Sequence, residues 1–203
     1  MGLREVLFGR HEVKGPAPDR LFAITTAHVA LASEHTIYPT GSAAIVFQAL
    51  ATSEFETALR EMEEVVKATG GESGTSVSTQ DDSYGYRWMT LRNPPASPSV
   101  EDLAVGINAV AGSIETAGHG ERLLCAVFAF EHRPGGPDQS QGGERTYFIY
   151  NYKRGFWYPF VPAPGGAQER STERELQIKA QIERELPIEP ELERWFPLWG
   201  IPI

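Results

Sequence analysis

The sequence contains one cysteine, Cys125, so the chain cannot form a disulfide within itself. A lone thiol is typical of proteins from a reducing compartment. No stretch approaches the run of about eighteen apolar residues that a membrane-spanning helix requires. The first residues also lack the apolar core of a signal peptide. These absences argue against a disulfide-stabilised secreted domain and predict a cytoplasmic protein.

Positive charge is also in short supply, because 18 lysines and arginines face 27 aspartates and glutamates. The net charge is −9 and the isoelectric point is about 5.1. An acidic surface repels phosphate backbones, and proteins that bind nucleic acid usually carry the opposite balance. Nucleic acid is therefore not expected as a partner, and contact with anionic lipid is expected to be peripheral at most.

The sequence also lacks the motifs that carry catalysis or cofactors. It has no phosphate-binding loop and no nucleophile elbow, and its five histidines lack the spacing of a helical metal pair. Cys125 lies in an apolar run, which raises a thiol pKa and favours core packing. Asp81 and Asp82 read as solvated turn residues. No catalytic residue, metal site or cofactor is predicted, and the protein is not expected to be an enzyme.

Two parts of different character are predicted. Residues 1–18 form a short N-terminal arm and linker, with apolar positions at Leu3, Leu7 and Phe8 followed by a Gly- and Pro-containing stretch. The arm either packs on the body of the protein or docks on a partner or membrane surface. Residues 19–203 form a single α+β domain that includes a tryptophan-rich C-terminal tail.

Three helices are predicted from apolar periodicity and end signals, over residues 54–69, 100–117 and 173–186. The first has a capping box formed by Ser53 and Glu56. The second begins at Ser99, and the third is ended by Pro187.

Strands are predicted in pairs between these helices, and Tyr38–Gly41 is expected to form a turn within the first pair. The predicted strands cover residues 27–32, 43–50, 75–80, 84–91, 123–130, 146–152 and 156–161. The resulting order, ββ-α-ββ-α-βββ-α, predicts a mainly antiparallel sheet with about three helices on one face. The order of the later strands is similar to that of the secretion-chaperone fold.

An aromatic hairpin is the first candidate for a binding site. Eight aromatic residues fall within Tyr147–Phe160, and alternation along a strand sends about half of them away from any one face. Aromatic area beside a cation is typical of recognition surfaces. The alternative is that the hairpin is covered on both sides or is half-buried. The candidates, expected to be partly exposed on one face, are Tyr152, Lys153, Arg154, Trp157 and Tyr158.

The C-terminal tail is the second candidate. Trp195, Phe196 and Trp199 lie in a proline-interrupted segment and need a partner surface. They either pack against the sheet of their own chain, or exchange into a neighbour or dock on another protein.

Several motifs along the chain resemble the PspAB family of PspA-associated proteins. They are Phe8-Gly9-Arg10, Tyr38-Pro39-Thr40-Gly41, Tyr84-Gly85-Tyr86, Leu123-Leu124-Cys125, Tyr152-Lys153-Arg154-Gly155, Tyr158-Pro159-Phe160 and Arg194-Trp195-Phe196-Pro197-Leu198-Trp199-Gly200. The resemblance implies a prokaryotic protein associated with PspA, a phage-shock protein that protects stressed membranes. It implies no activity and no catalytic residues.

Two functions remain open at this point. The first is a non-catalytic adaptor or regulatory protein in a PspA-type membrane-stress response, acting by protein–protein binding. The second is a receptor for a small anion or an enzyme, in which Arg87 or Arg154 would hold the anionic group and Asp81 or Asp82 would act as base.

Overall fold

The computed structural model describes residues 18–70, 74–136, 143–165 and 168–203. The predicted N-terminal arm lies outside these residues apart from Pro18. Within them the α+β class is confirmed, with five α-helices and six β-strands. In chain order these are α1 (Pro18–Phe22), α2 (Ile24–His35), β1 (Ile37–Gln48), α3 (Ser53–Gly70), β2 (Ser76–Asp81), β3 (Tyr86–Arg92), α4 (Val100–Thr116), β4 (Leu123–His132), β5 (Glu144–Asn151), β6 (Phe156–Phe160) and α5 (Thr172–Ile182).

The six strands form one antiparallel sheet in the order β2-β3-β1-β4-β5-β6. Side chains alternate between its two faces. Ile45, opposite Met89 and Ala126, lies on the face that the helices cover. Val46, opposite Trp88 and Cys125, lies on the other face, which we call the open face. Strand β4 is apolar on both sides, as the sequence predicts for a central strand.

Helix α4 lies against the middle of the helical face. Ser99 caps it by accepting a hydrogen bond from the backbone N–H of Asp102, as predicted. Gly106 faces β3 so closely that an added Cβ would lie 2.4 Å from a methyl carbon of Leu91. A side chain at this position would therefore force the buried side chain of Leu91 to move or push the helix away from the sheet.

The first predicted strand, residues 27–32, is wrong: these residues lie in helix α2. Ile24, Ala27 and Leu31 are buried, while Val29 is exposed. Burial at intervals of three and four residues is the helical period. Because apolar residues also occupy positions between these, the helical period is not evident from the sequence.

The predicted turn at Tyr38–Gly41 is also wrong, because the tetrapeptide lies inside the long strand β1. The register between β1 and β4 shifts between Pro39 and Ser42, which is the signature of a β-bulge. Gly41 supplies the positive φ of 75° that this irregularity needs. The same residue types serve turns and bulges, so composition alone did not separate the two.

Two helix ends differ from prediction. The hydroxyl of Thr52, not of Ser53, accepts the capping hydrogen bond at the start of α3, from the N–H of Phe55. Glu56 pairs with Arg87 instead of completing a capping box. Helix α5 ends at Ile182, before the proline expected to stop it.

The C-terminal segment, which we define as residues 195–203, covers part of the open face of the sheet. Trp195 stacks on Tyr158 with ring centroids 6.2 Å apart, and Trp199 meets Phe160 edge-on at 5.1 Å. The last residue, Ile203, is buried. The tail therefore packs on the sheet of its own chain, which is the first of the two alternatives considered above.

A candidate partner-binding groove

The aromatic hairpin is covered on both sides. Tyr152, Trp157 and Tyr158 are 5%, 0% and 3% exposed, so the expectation that they would be partly exposed is wrong for these three. The indole N–H of Trp157 donates to the carbonyl of Arg20 on the helical face. The hydroxyl of Tyr158 donates to the carbonyl of Phe196 on the open face. Helices thus cover one side and the C-terminal segment covers the other.

The two cations at the hairpin tip have different environments. Arg154 donates to both carboxylate oxygens of Glu189, at 2.7 and 2.9 Å, and also reaches Glu191. The hydrogen bonds to Glu189 raise the pKa of Arg154, although partial desolvation opposes them. Lys153 is exposed, and its backbone N–H donates to the side chain of Asn151. Arg154 is therefore a structural clamp, whereas the side chain of Lys153 faces solvent.

A concavity of about 370 Å³ opens on the open face of the sheet beside the C-terminal segment. We call it the aromatic groove and define it by its two walls. One wall carries Tyr84, Tyr86 and Trp88 from strand β3 and the turn before it, and the other is Phe196–Trp199. The walls are far apart in the sequence and meet because the C-terminal segment crosses the open face of the sheet, where Arg92 at the end of β3 donates to the carbonyl of Pro202.

The floor and ends of the aromatic groove carry a mixture of apolar and charged groups. Val46 and Cys125, which are opposite each other on neighbouring strands, lie at its floor. Asp82 and Lys153 also line it, so the described part of the chain gives the groove an anionic and a cationic position. A segment bound there would meet apolar area together with charges of both signs.

Four of the eight predicted site residues line the aromatic groove: Lys153, Tyr158, Phe196 and Trp199. The other four, Tyr152, Arg154, Trp157 and Trp195, do not line it. Whether any of the eight contacts a partner stays a prediction.

Sequence reasoning missed the wall formed by Tyr84, Tyr86 and Trp88. In the sequence these three aromatic residues occupy alternate positions, a pattern that predicts one shared face of a strand. In the structure Tyr86 and Trp88 share the open face, whereas Tyr84 lies in the turn before the strand. The signal could not be recognised as part of a site without knowing that the C-terminal segment lies across from it.

Three aromatic side chains of the groove are exposed to solvent. Tyr84 is 71%, Phe196 59% and Tyr86 38% exposed. An exposed cluster of large apolar side chains is uncommon and marks interaction sites, whereas single exposed apolar residues are ordinary. Tyrosine at such a cluster adds a hydroxyl that can be satisfied by a partner or by water.

Asp82 fixes the shape of the wall. One of its carboxylate oxygens accepts from the backbone N–H groups of Tyr84 and Tyr86, at 2.8 and 2.9 Å, and the other accepts from the indole of Trp88 at 3.0 Å. Partial burial pushes the pKa of Asp82 upward, but these hydrogen bonds outweigh it and hold the pKa below its ordinary value. Because the folded pKa is depressed, this contribution to stability is present at neutral pH and is lost only as pH falls below about 4.

Cys125 provides a direct test of the groove floor. Burial raises the pKa of its thiol to about 12, and the residue is 8% exposed. We expect the folded protein to react with a thiol reagent at pH 8 at least about 100-fold more slowly than the unfolded chain, because the thiolate is the nucleophile. Labelling rates with and without denaturant measure this. Equal rates would contradict the buried position.

The two arginines predicted as possible anion ligands, Arg87 and Arg154, are poorly placed to bind a small anion. Arg87 is held by both carboxylate oxygens of Asp81, at 2.6 and 2.9 Å, and by Glu56 at 2.8 Å. These contacts hold the pKa of Asp81 low, which suits an ion pair better than a base. Arg154 is committed to Glu189 in the same way. Both arginines considered for an anion site thus already have carboxylate partners.

A larger depression of about 650 Å³ lies between helices α3 and α4. Phe55, Leu59 and Met62 line it from α3, and α4 contributes mainly small residues such as Gly112 and Ser113. Among its described lining residues none is charged, and the polar groups are those of Asn108, Ser113 and Thr116. Among the described residues there is also no group of three or more metal-ligating side chains. The aromatic groove is the better candidate because it combines exposed aromatics with charge.

Fold and groove together define an α+β protein with helices on one face of an antiparallel sheet and an aromatic groove on the other. Among the described residues, no helix is both long and apolar enough to cross a bilayer. The chain belongs to the PspAB family, described as PspA associated protein B, and the family model matches residues 1–203. No curated protein and no solved structure matches the chain, so the likeness to the secretion-chaperone fold stays a prediction.

Proposed function

We propose that the protein is a non-catalytic adaptor or regulatory protein of a PspA-type membrane-stress response and that it binds PspA through the aromatic groove. The family description supports an association with PspA. The observation that carries the choice of site is the cluster of exposed Tyr84, Tyr86 and Phe196 around one concavity. The protein would act in the cytoplasm and meet the membrane only through its partner.

The groove suits a protein segment better than a small metabolite. Its polar groups are few and lie among apolar walls, and it is open to solvent along the exposed aromatic rims. Large rigid aromatics bury much area at low entropic cost, and they dominate the energy of protein interfaces. Asp82 and Lys153 would set the direction of the bound segment by pairing with its charges.

Replacement of both exposed anchors, Tyr84→Ser with Phe196→Ser, is expected to weaken binding of purified PspA by at least about 30-fold. Loss of a central anchor typically costs about 2 kcal/mol or more. Neither side chain contributes to the core, so the variant should keep its thermal unfolding temperature. Calorimetric titration of PspA into each protein measures the affinity.

The matched control is Val29→Ser, which removes a similarly exposed apolar side chain from helix α2 on the opposite side of the sheet. Its affinity for PspA should equal that of the unaltered protein. Unchanged binding by the Tyr84→Ser and Phe196→Ser double variant would refute the groove as the site. Absence of heat with the unaltered protein, checked by sedimentation of the mixture, would refute direct contact with PspA.

A further inference from the structure

The two edge strands of the sheet, β6 and β2, differ in whether their outward-facing backbone groups are hydrogen-bonded. At the β6 edge, Trp157 donates its N–H to the carbonyl of Pro187 and accepts from the N–H of Glu189. The next outward position, Pro159, has no N–H to offer. The N–H of Val161 donates to the carboxylate of Glu175. The outward donors of this edge are thus paired or missing, which prevents another strand from adding there.

Strand β2 forms the opposite edge, and the hydrogen-bond pattern shows which of its groups point outward. The N–H of Asp82 donates to the carbonyl of Tyr86, so the even-numbered residues of β2 are bonded to β3. The odd-numbered residues, Val77, Thr79 and Asp81, direct their N–H and C=O groups away from the sheet. Within the described residues, no backbone partner is found for these groups.

Among the described residues this edge has no proline, bulge or covering backbone segment, although Asp81 and Glu63 place negative charge beside it. The strand reads Ser-Val-Ser-Thr-Gln-Asp, without proline or lysine, and its pairing with β3 runs without a register shift. Proteins usually guard an exposed edge with charge, proline, a bulge or a covering segment. Within the described residues, the β2 edge is therefore available for strand pairing, whereas the β6 edge is closed.

We propose that the open edge pairs with the same edge of a second copy of this chain, antiparallel and about a two-fold axis at Thr79. Thr79 then lies opposite Thr79 of the partner subunit. Val77 lies opposite Asp81 of the partner subunit, and the reverse pair repeats on the other side of the axis. The two sheets join into one continuous sheet with an isologous interface.

The side chains suit this self-pairing. Paired threonines are favourable cross-strand neighbours, and Ser78 comes opposite Gln80 of the partner subunit, which joins a hydroxyl to an amide. No like charges lie directly opposite, because Asp81 faces a valine and is already held by Arg87. Pairing of odd with odd residues is also the register that satisfies every outward N–H of the strand.

Repulsion between negative charges on the two subunits weakens the dimer. The hydroxyl of Thr79 donates to Glu63 of helix α3, so two Glu63 carboxylates approach the axis from the two subunits. Each chain also carries a net charge of −9. An interface of one short strand falls below the area of about 1,000 Å² that stable complexes bury. The dimer is therefore concentration-dependent and becomes stronger as salt screens the repulsion.

A two-fold axis perpendicular to the sheet leaves both open faces on the same side. The dimer would then present two aromatic grooves in one direction. This consequence rests on the proposed function: a partner present in many copies would be bound with avidity. The dimer itself does not depend on PspA, so it can be tested with the purified protein alone.

Sedimentation equilibrium of the full chain over a wide concentration range tests the proposal with two variants. Thr79→Pro removes the outward N–H without removing a hydrogen bond to β3, because Thr79 does not bond to β3. It is expected to weaken association at least about 10-fold. Thr79→Val keeps the N–H and a β-branched side chain but loses the hydroxyl, so it should associate much more strongly than Thr79→Pro.

A protein that stays monomeric at about 1 mM in 0.5 M salt would overturn the proposal. A dimer that persists unchanged in folded Thr79→Pro would overturn its placement at β2. Because proline could disturb the strand, hydrogen exchange of the unaltered protein gives a second measurement. Val77, Thr79 and Asp81 amides should become protected as concentration rises, and exchange independent of concentration would also overturn the proposal.

Discussion

Trp157→Ala is expected to lower the free energy of unfolding by about 3–5 kcal/mol, as large-to-small replacements of buried aromatics do. The side chain is fully buried and contacts Phe128 and Tyr150, with ring centroids 5.6 and 5.2 Å away. Its indole N–H also bonds the carbonyl of Arg20, so the variant leaves that acceptor unpaired and loosens helix α1. Urea denaturation followed by circular dichroism measures the change.

Trp199→Ala is the matched control, since it deletes the same side chain at a partly buried position on the open face. Its expected cost is about 1–2 kcal/mol, because part of the ring remains in water. Trp157→Phe separates the two contributions by keeping a ring while deleting the hydrogen bond. Equal losses for Trp157→Ala and Trp199→Ala would contradict the full burial of Trp157 against Phe128 and Tyr150.

The aromatic hairpin and the tryptophan-rich tail show where sequence reasoning reaches its limit. Alternation correctly indicates that half of the hairpin aromatics leave the helical face. It cannot indicate that Tyr158 and Phe160 meet Trp195 and Trp199, because that contact depends on the path of the chain after α5. Two features that looked like separate binding sites are largely partners of each other.

Helix α4 and strand β4 were predictable because each has one dominant pattern. Helix α4 has a clear apolar stripe with Ser99 as its cap, and β4 is apolar throughout. Helix α2 was not predictable, because its alanines and threonines leave the apolar period weak and its packing depends on β1 and on α4, which lies far away in the sequence. The two walls of the aromatic groove could each be recognised in the sequence as an aromatic cluster. Their position across from each other could not be predicted, because it depends on tertiary structure.

The C-terminal wall of the groove depends on a buried ion pair some distance from it. Glu175 is fully buried and accepts from the guanidinium of Arg170 and from the N–H of Val161. The same guanidinium donates to the carbonyl of Trp195 and lies over the ring of Phe160. Helix α5 thereby fixes the point at which the C-terminal segment joins the sheet, immediately before Phe196.

Glu175→Ala is therefore expected to lower the free energy of unfolding by about 3–5 kcal/mol, since it leaves Arg170 without its counter-charge in a largely buried position. The variant should also weaken binding at the groove more than its stability loss alone explains, because the carbonyl of Trp195 loses a fixed donor. Denaturation and PspA titration at a temperature where the variant is fully folded measure the two effects.

Glu173→Ala, an exposed replacement on the same helix, should change stability by less than about 0.5 kcal/mol and leave binding unaltered. The double variant Glu175→Leu with Arg170→Leu removes the pair together and should recover much of the stability, since no charge is then left unpaired. It should not recover groove binding, because no donor reaches the carbonyl of Trp195. Recovery of both properties would show that Arg170 serves stability alone and that the C-terminal wall is held by its tryptophans.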